Sequence, residues 1–472
     1  MVQNPGYSTM FAGCTSLTTI GSIKGKKLSP SCYDSMFSGC TSLTTIGSIE
    51  AETLAESCCK SMFYGCESLI QAPALPATEL AESCYANMFE GCTALTEAPE
   101  LPSTILKSSC YASMFKGCTS LRKAPELPAI TLKSSCYAYM FSGCVKLTQT
   151  PILSKTESIA ILAESCYDYM FTGCTSLTEA PELLSTILKS SCYEGMFSGC
   201  TSLTLAPALP STTLASSCYA SMFYGCESLT QAPALPATEL ATSCYARMFS
   251  GCVKLTLAPE LPAIELATSC YESMFSGCTS LISNYVGESL SPEQISYNER
   301  FKDLLPAETL AESCYAYMFN GCSLLRKAPA LPATELESLC YAYMFEGCTS
   351  LTLAPELPAK TLASSCYTYM FYGCTSLTEA PELPATKLKY LCYAYMFYGC
   401  TSLNKIHVYF DTWDDNSLKR WLTGVNEVGK FYSESEELQY NQNYVPEGWE
   451  WFGADSSSSN NVHSYAVNYS NI

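Results

Sequence analysis

The apolar positions of this chain recur at fixed places in short segments. In LTEAPELP (Leu95 to Pro102) a leucine, an alanine and a second leucine recur, which predicts a strand. Its two prolines keep the strand brief, because proline donates no hydrogen bond to a sheet. Further on, Leu106, Cys110 and Met114 are spaced by four, which predicts a short helix, and Gly117 stands where a helix is capped.

This pattern returns with a period of 26 residues. Twelve of the fourteen intervals between successive Gly-Cys pairs have that length, one is 30 residues with an insertion near 155–159, and one is 44 residues with an insertion at about 283–305. A coil this short cannot bury its own apolar face, so each coil must pack on its neighbours. We therefore expect an α/β solenoid, a superhelix of about fifteen coils that each contain a short parallel strand and a short helix. The fifteen copies are marked by Cys14, Cys40, Cys66, Cys92, Cys118, Cys144, Cys174, Cys200, Cys226, Cys252, Cys278, Cys322, Cys348, Cys374 and Cys400.

The chain divides into three parts on this basis. Residues 1–406 are predicted to be the solenoid, and residues 407–453, which hold all four tryptophans, a C-terminal cap over the last coil. Within the cap, Asp415 to Tyr432 predicts a helix that ends at a glycine, followed by a strand. Residues 454–472, rich in serine and asparagine, predict a tail.

Two further features concern the edges of the repeat. In the larger insertion, Ser291 followed by proline and glutamate predicts the start of a helix. At the amino terminus, Gly6 stands where the first cysteine of a coil recurs. We expect an open apolar edge there, either because the chain is a fragment of a longer protein or because another chain covers it.

Charge and hydropathy exclude several functions. The 44 acidic and 25 basic side chains give a net charge of −19, which disfavours nucleic acid because phosphate binding needs a basic face. The sequence shows neither a charged-then-apolar signal peptide nor an apolar run near the ~18 residues of a membrane span.

The string MFxGCTSLTxAP followed by LPAT, as at Met370 to Thr386, resembles the BspA-like leucine-rich repeats. The resemblance implies a right-handed horseshoe or superhelix with a parallel sheet on one face. It also implies a bacterial cell-surface or extracellular location and a non-enzymatic binding or adhesion role toward a protein or glycan on a host or neighbouring cell. A phage fibre or receptor-binding protein is the alternative, because similar repeats occur there. This chain departs from the family in its longer period and in a second cysteine per coil.

The 30 cysteines allow two interpretations. Fourteen pairs have the spacing Cys-x7-Cys, such as Cys84 and Cys92, and so many cysteines in an exported protein are typical of disulfides. A repeated buried position also repeats a cysteine without any bond, because a free thiol packs as a small hydrophobic group. Both interpretations stay open at this stage. Zinc is not expected, because the short Cys-x2-Cys spacing of structural sites is absent.

One position changes from coil to coil while its neighbours repeat, and this predicts a residue outside the core. We expect it to project from the sheet surface, which is the common recognition face of solenoids, although a merely solvated position is the simpler explanation. Leucines at this position would add an apolar patch. The predicted ligand-binding residues are Glu97, Lys123, Gln149, Glu179, Leu205, Gln231, Leu257, Lys327, Leu353 and Glu379.

Other repeated residues carry weaker signals. Glutamates such as Glu100 recur but lack the Asp-rich loop of calcium sites, so no metal and no cofactor are expected. Tyrosines after the first cysteine, such as Tyr85, predict packing with a polar tip at the surface, with an aromatic recognition strip as the alternative. His407 and His463 lie outside the repeats and no catalytic motif is present, so an enzyme is not expected.

Overall fold

The computed structural model of the protein describes residues 6–153, 162–286 and 290–454. They form two compact units, the first reaching Leu235 and including Gly251–Val253, the second comprising Pro236–Ser250 and the chain from Lys254. The insertion expected near 155–159, and the predicted tail apart from residue 454, lie outside the described residues.

Short parallel strands mark one side of the coils in each unit. In the first unit β1 (Thr19–Ile20) pairs with β2 (Thr45–Ile46), so that Thr19 lies opposite Thr45, one period later. In the second unit β3 (Glu379–Leu383), β4 (Lys405–Val408), β5 (Gly429–Ser433) and β6 (Trp449–Phe452) form a parallel sheet in that order. Single parallel bridges occupy the equivalent position in other coils. The predicted brevity of the strands is confirmed.

The predicted helix of each coil is wrong. The segment is a run of turns, seen in residues 31–40, in which the N–H groups alternate between two kinds of partner. The N–H of Tyr33 donates to the carbonyl of Cys58 in the next coil (2.8 Å), whereas the N–H of Asp34 donates to the carbonyl of Ser31 (3.3 Å). Every fourth residue adopts a left-handed conformation: Ser31, Ser35 and Gly39 have φ of 49°, 53° and 73°.

The reason for this error is that a spacing of four fits both structures. Leu106, Cys110 and Met114 recur once per turn of an α-helix, and also once per left-handed residue in these turns. The glycine predicted at the end of the segment does adopt the left-handed conformation of a cap, since Gly117 has φ of 73°. Residues 415–424 follow the turn pattern too, with Arg420 at φ 49° and Gly424 at φ 75°, so the helix predicted there is also wrong. The strand predicted after it is confirmed as β5.

Equivalent apolar side chains stack in columns and form the core. The rings of Phe89 and Phe115 stack with centroids 5.7 Å apart, and those of Tyr85 and Tyr111 with centroids 6.0 Å apart. Packing of the tyrosine column is therefore confirmed, but its predicted exposure is wrong. Tyr85 is only 1% exposed, and its hydroxyl has no hydrogen-bond partner. This column is not a recognition strip.

The cysteines form two further columns of thiols. None of the thirty is in a disulfide, and all except Cys14 are buried. In the second column the thiols from Cys40 onward donate to the carbonyl oxygen of a phenylalanine one coil earlier, as from Cys144 Sγ to the Phe115 oxygen at 3.1 Å. Burial raises the pKa of Cys144 to about 12. The reduced interpretation therefore describes the structure, because each of these thiols links two coils through a hydrogen bond.

The larger insertion contains α1 (Pro292–Lys302), which is the only α-helix among the described residues. Ser291 caps it: its Oγ accepts the Gln294 N–H at 3.3 Å, and Gln294 Oε1 accepts the Ser291 N–H at 2.9 Å. The predicted helix start is thus confirmed. Tyr297 and Phe301 are the buried residues of α1, and Phe301 is 2% exposed with its ring 6.2 Å from that of Phe319.

The tryptophans after the repeat surround the interior side of the β3–β6 sheet. Trp421 is 1% exposed and packs edge-on against Phe431 at 6.1 Å. Trp413 stacks on Tyr444 at 4.9 Å, and Trp449 Nε1 donates to the carbonyl of Asn426 at 2.8 Å. In the first coil Tyr7, Met10 and Phe11 are exposed. In the part of the chain that the structure describes, no helix combines the length and hydropathy needed to cross a membrane.

Candidate binding face

The candidate site is the strand face, defined as the solvent side of the parallel bridges and strands. Nine of the ten predicted ligand-binding residues are exposed, and eight of these nine, all except Gln231, stand at a parallel bridge or in β3. Their side chains are open to solvent and can therefore be reached by a ligand. The nine are Glu97, Lys123, Gln149, Glu179, Leu205, Gln231, Lys327, Leu353 and Glu379.

Several of these residues are neighbours in register. Lys123 bridges to Gln149, and Glu179 bridges to Leu205, in the first unit. Parallel strands lie about 4.8 Å apart, so a partner lying across the coils could contact consecutive side chains. In the second unit Lys327 bridges to Leu353. The fold therefore gathers residues that are 26 positions apart into rows.

The strand face of the first unit contains a groove of about 740 Å³ between residues 96–102 and 122–128. We name it the strand-face groove. Ala98, Pro99, Ala124 and Pro125 are among its apolar lining residues. A second hollow of about 510 Å³, over residues 71–76 and 97–102, shares part of this lining, so the concavity extends over three coils.

Charges of both signs surround the strand-face groove. Arg122 and Lys123 belong to one of its coils, and Glu97 and Glu100 to the other. All four side chains are exposed. Exposed charges gain little from pairing with one another, so they remain able to exchange a neighbour for a ligand group.

Leu257 is the exception among the predicted residues. It is half-buried and lines a hollow with Tyr285, Tyr297 and Arg300, because α1 packs over the strand face at this coil. The Tyr297 hydroxyl donates to the carbonyl of Ile282 at 2.8 Å and accepts the N–H of Ala258 at 3.3 Å. The predicted exposure of Leu257 is wrong, because the repeat pattern carries no information on where the inserted segment with α1 packs.

Sequence reasoning also missed a cluster on the solvent side of the β3–β6 sheet. His407, Tyr409, Tyr432 and Phe452 are half-buried neighbours there, flanked by Glu382 and Glu434. These residues lie beyond the regular repeats, so no column of equivalents marked them. The alternation of polar and apolar residues along KIHVY (405–409) was the available signal.

The structure gives no arrangement typical of a metal centre in the ranges it describes. No group of three or more His, Cys, Asp or Glu side chains there is placed to hold an ion. Glu100, one of the recurring glutamates, is exposed at the rim of the strand-face groove.

Comparison with known families agrees with this architecture. The family described as BspA type Leucine rich repeat region matches six overlapping stretches: residues 7–122, 48–178, 82–230, 134–282, 194–326 and 312–416. The chain belongs to this family. No curated protein and no solved structure matches it. Repeats of this type are commonly those of surface or adhesion proteins and are typically non-enzymatic scaffolds, which makes a binding function the general expectation.

Proposed function

We propose that this chain is a non-enzymatic adhesion protein whose strand-face groove binds a protein partner at a bacterial cell surface. The observation that carries the proposal is the coincidence of two features. Nine of the ten predicted positions, which vary between coils, are exposed, and a groove of about 740 Å³ in the first unit lies between two of their coils. A surface location follows from family membership and is part of the proposal.

The lining of the strand-face groove supports a protein partner. Its apolar part consists of alanine, proline and leucine without any aromatic ring, whereas sugar recognition generally uses ring faces. Adjacent cations and carboxylates complement the mixed charges of a polypeptide surface. A polymer of a single charge sign would be repelled either by the two cations or by the three carboxylates of the lining.

The proposed organisation keeps the boundaries expected from the sequence. It takes residues 1–406 as a solenoid of about fifteen coils and residues 407–453 as a C-terminal cap. The buried rings of Trp421 and Phe431 support a capping role, because a terminal coil needs an apolar cover.

The test is a charge reversal at the groove with a matched control outside it. The variant Arg122→Glu/Lys123→Glu and the control Lys107→Glu, an exposed lysine outside the groove lining, are compared on an array of extracellular-matrix proteins. We expect the double variant to lose binding by about tenfold or more, mainly through slower association, and the control to match the parent chain.

The measurement is surface plasmon resonance at two salt concentrations, with circular dichroism to confirm that both variants are folded. Equal affinity of the parent and the folded double variant for every bound protein would refute the groove assignment. An array on which the parent chain binds nothing would refute the protein partner.

A further inference from the structure

The solvent side of the β3–β6 sheet carries a band of four adjacent rings. Phe452 on β6 stacks on Tyr432 of β5 with centroids 4.8 Å apart and planes at 15°. Tyr432 meets His407 of β4 edge-on at 5.9 Å, and His407 lies 5.1 Å from Tyr409. We call these four residues the aromatic band. It crosses three strands because parallel pairing places Tyr432 opposite both His407 and Phe452.

Carboxylates line the aromatic band. His407 Nε2 lies 2.6 Å from Glu434 Oε1, and His407 Nδ1 lies 3.6 Å from Glu382 Oε1. The Tyr409 hydroxyl donates to Glu382 Oε2 at 3.5 Å. Both carboxylates are exposed, so each offers lone pairs to a ligand as well as to the histidine.

The cations nearby already have partners. Lys405 Nζ lies 3.1 Å from Glu379 Oε2, and Lys430 Nζ lies over the ring of Phe452 at 5.9 Å. An acidic ligand would therefore meet engaged lysines and several carboxylates. The charge distribution disfavours an anionic partner and favours a neutral one that donates hydrogen bonds.

A neutral carbohydrate meets these conditions. Its C–H faces pack on aromatic rings, and its hydroxyls donate to carboxylates, which accept hydrogen bonds more strongly than neutral groups do. Rings that follow one another across the strands suit an extended chain of sugars. The strand-face groove, whose lining has no ring, lacks the first of these elements.

We infer that the aromatic band, with Glu382 and Glu434, is a binding site for a neutral polysaccharide. This inference stands apart from the proposed protein partner, because it uses different residues and lies in the other unit. It adds a second binding specificity to the chain.

The test measures retardation of the full chain in native gels containing soluble polysaccharide. The probes are a β-glucan, a mannan and a xyloglucan, with hyaluronan as the anionic comparison. We expect at least one neutral polymer to retard the parent chain. Tyr432→Ala should weaken that binding by about tenfold, whereas Tyr432→Phe, which keeps the ring, should change it by less than about threefold.

Two controls separate the outcomes. Tyr64→Ala removes a tyrosine that is 46% exposed on a turn segment and should bind like the parent. Arg122→Glu/Lys123→Glu should also keep polysaccharide binding, whatever happens to protein binding. If Tyr432→Ala fails to fold by circular dichroism, Glu434→Gln replaces it, and we expect it to weaken binding by about fivefold.

Three results would overturn the inference. The first is a folded parent chain that no neutral polysaccharide retards. The second is equal retardation of the parent and of the folded Tyr432→Ala or Glu434→Gln variant. The third is retardation by hyaluronan alone.

Discussion

Asp168 places a carboxylate at the position that Ala112 and Ala138 occupy in the two preceding coils. It is half-buried, and its Oδ1 is buried without a hydrogen-bond partner. Burial, with a smaller contribution from the charge of Glu194, raises the pKa of Asp168 from 3.8 to about 7. The folded protein therefore favours the protonated acid more than the unfolded chain does.

The sign of the pH dependence follows from that shift. Below about pH 3.8 the acid is protonated in both states and the site costs nothing. Between about pH 3.8 and pH 7 the carboxyl is ionised in the unfolded chain but still protonated in the folded protein, so the free energy of unfolding falls as the pH rises. Above pH 7 the carboxyl is ionised in both states and the loss is complete. A shift of about three units corresponds to about 4 kcal/mol, which partial exposure and solvent screening reduce to about 1–2 kcal/mol.

We therefore expect Asp168→Asn to stabilise the protein at pH 8 by about 1–2 kcal/mol and to have almost no effect at pH 4. Urea unfolding at both pH values measures the difference, with the exposed Glu164→Gln as a control that changes neither midpoint. An equal gain at the two pH values, or a loss at pH 8, would refute the burial of an ionised Asp168.

Three more outcomes follow from the packing. A thiol reagent without reductant should label one cysteine, Cys14, in the native protein and thirty in urea; fewer than thirty in urea would mean disulfides. Gly195→Ala should cost about 1–3 kcal/mol in urea unfolding, because the new Cβ would lie 2.2 Å from the Tyr169 ring at φ 55°, and clearly less in a Tyr169→Ala background. Tyr297→Phe should speed hydrogen exchange in α1, because it removes the hydrogen bonds to Ile282 and Ala258; unchanged exchange would contradict the contact.

The repeat architecture was predictable because it depends on periodicity. The 26-residue spacing placed Thr19 opposite Thr45, and it placed the variable residues on the solvent side of the bridges. The N-terminal cap of α1 was also predictable, because Ser291 and Gln294 form hydrogen bonds with each other's backbone N–H groups within a few residues. These features depend only on contacts within one segment or between a coil and the adjacent coil.

The turn segment was not predicted, because most of its left-handed residues are not the glycines that usually adopt this conformation. Gly39 is a glycine, but Ser35 and Tyr139 hold φ of 53° and 57° with side chains that disfavour it. Hydrogen bonds to the next coil offset the conformational cost of these residues. A prediction made from the sequence of one coil does not include those hydrogen bonds. Leu257 and the aromatic band were missed for a related reason: both depend on segments outside the repeat, namely α1 and β5–β6.

The alternating hydrogen bonds of the turn segment also give each unit an electrical direction. The peptide group between Cys32 and Tyr33 accepts from Tyr7 through its carbonyl and donates to Cys58 through its N–H, and five N–H groups per coil point the same way. Rows of aligned amides sum as they do in a helix, to about half an elementary charge at each end of a row. Each unit thus has a positive pole toward its later coils and a negative pole toward its earlier ones. An ion approaching along the stack would distinguish the two ends before touching any side chain.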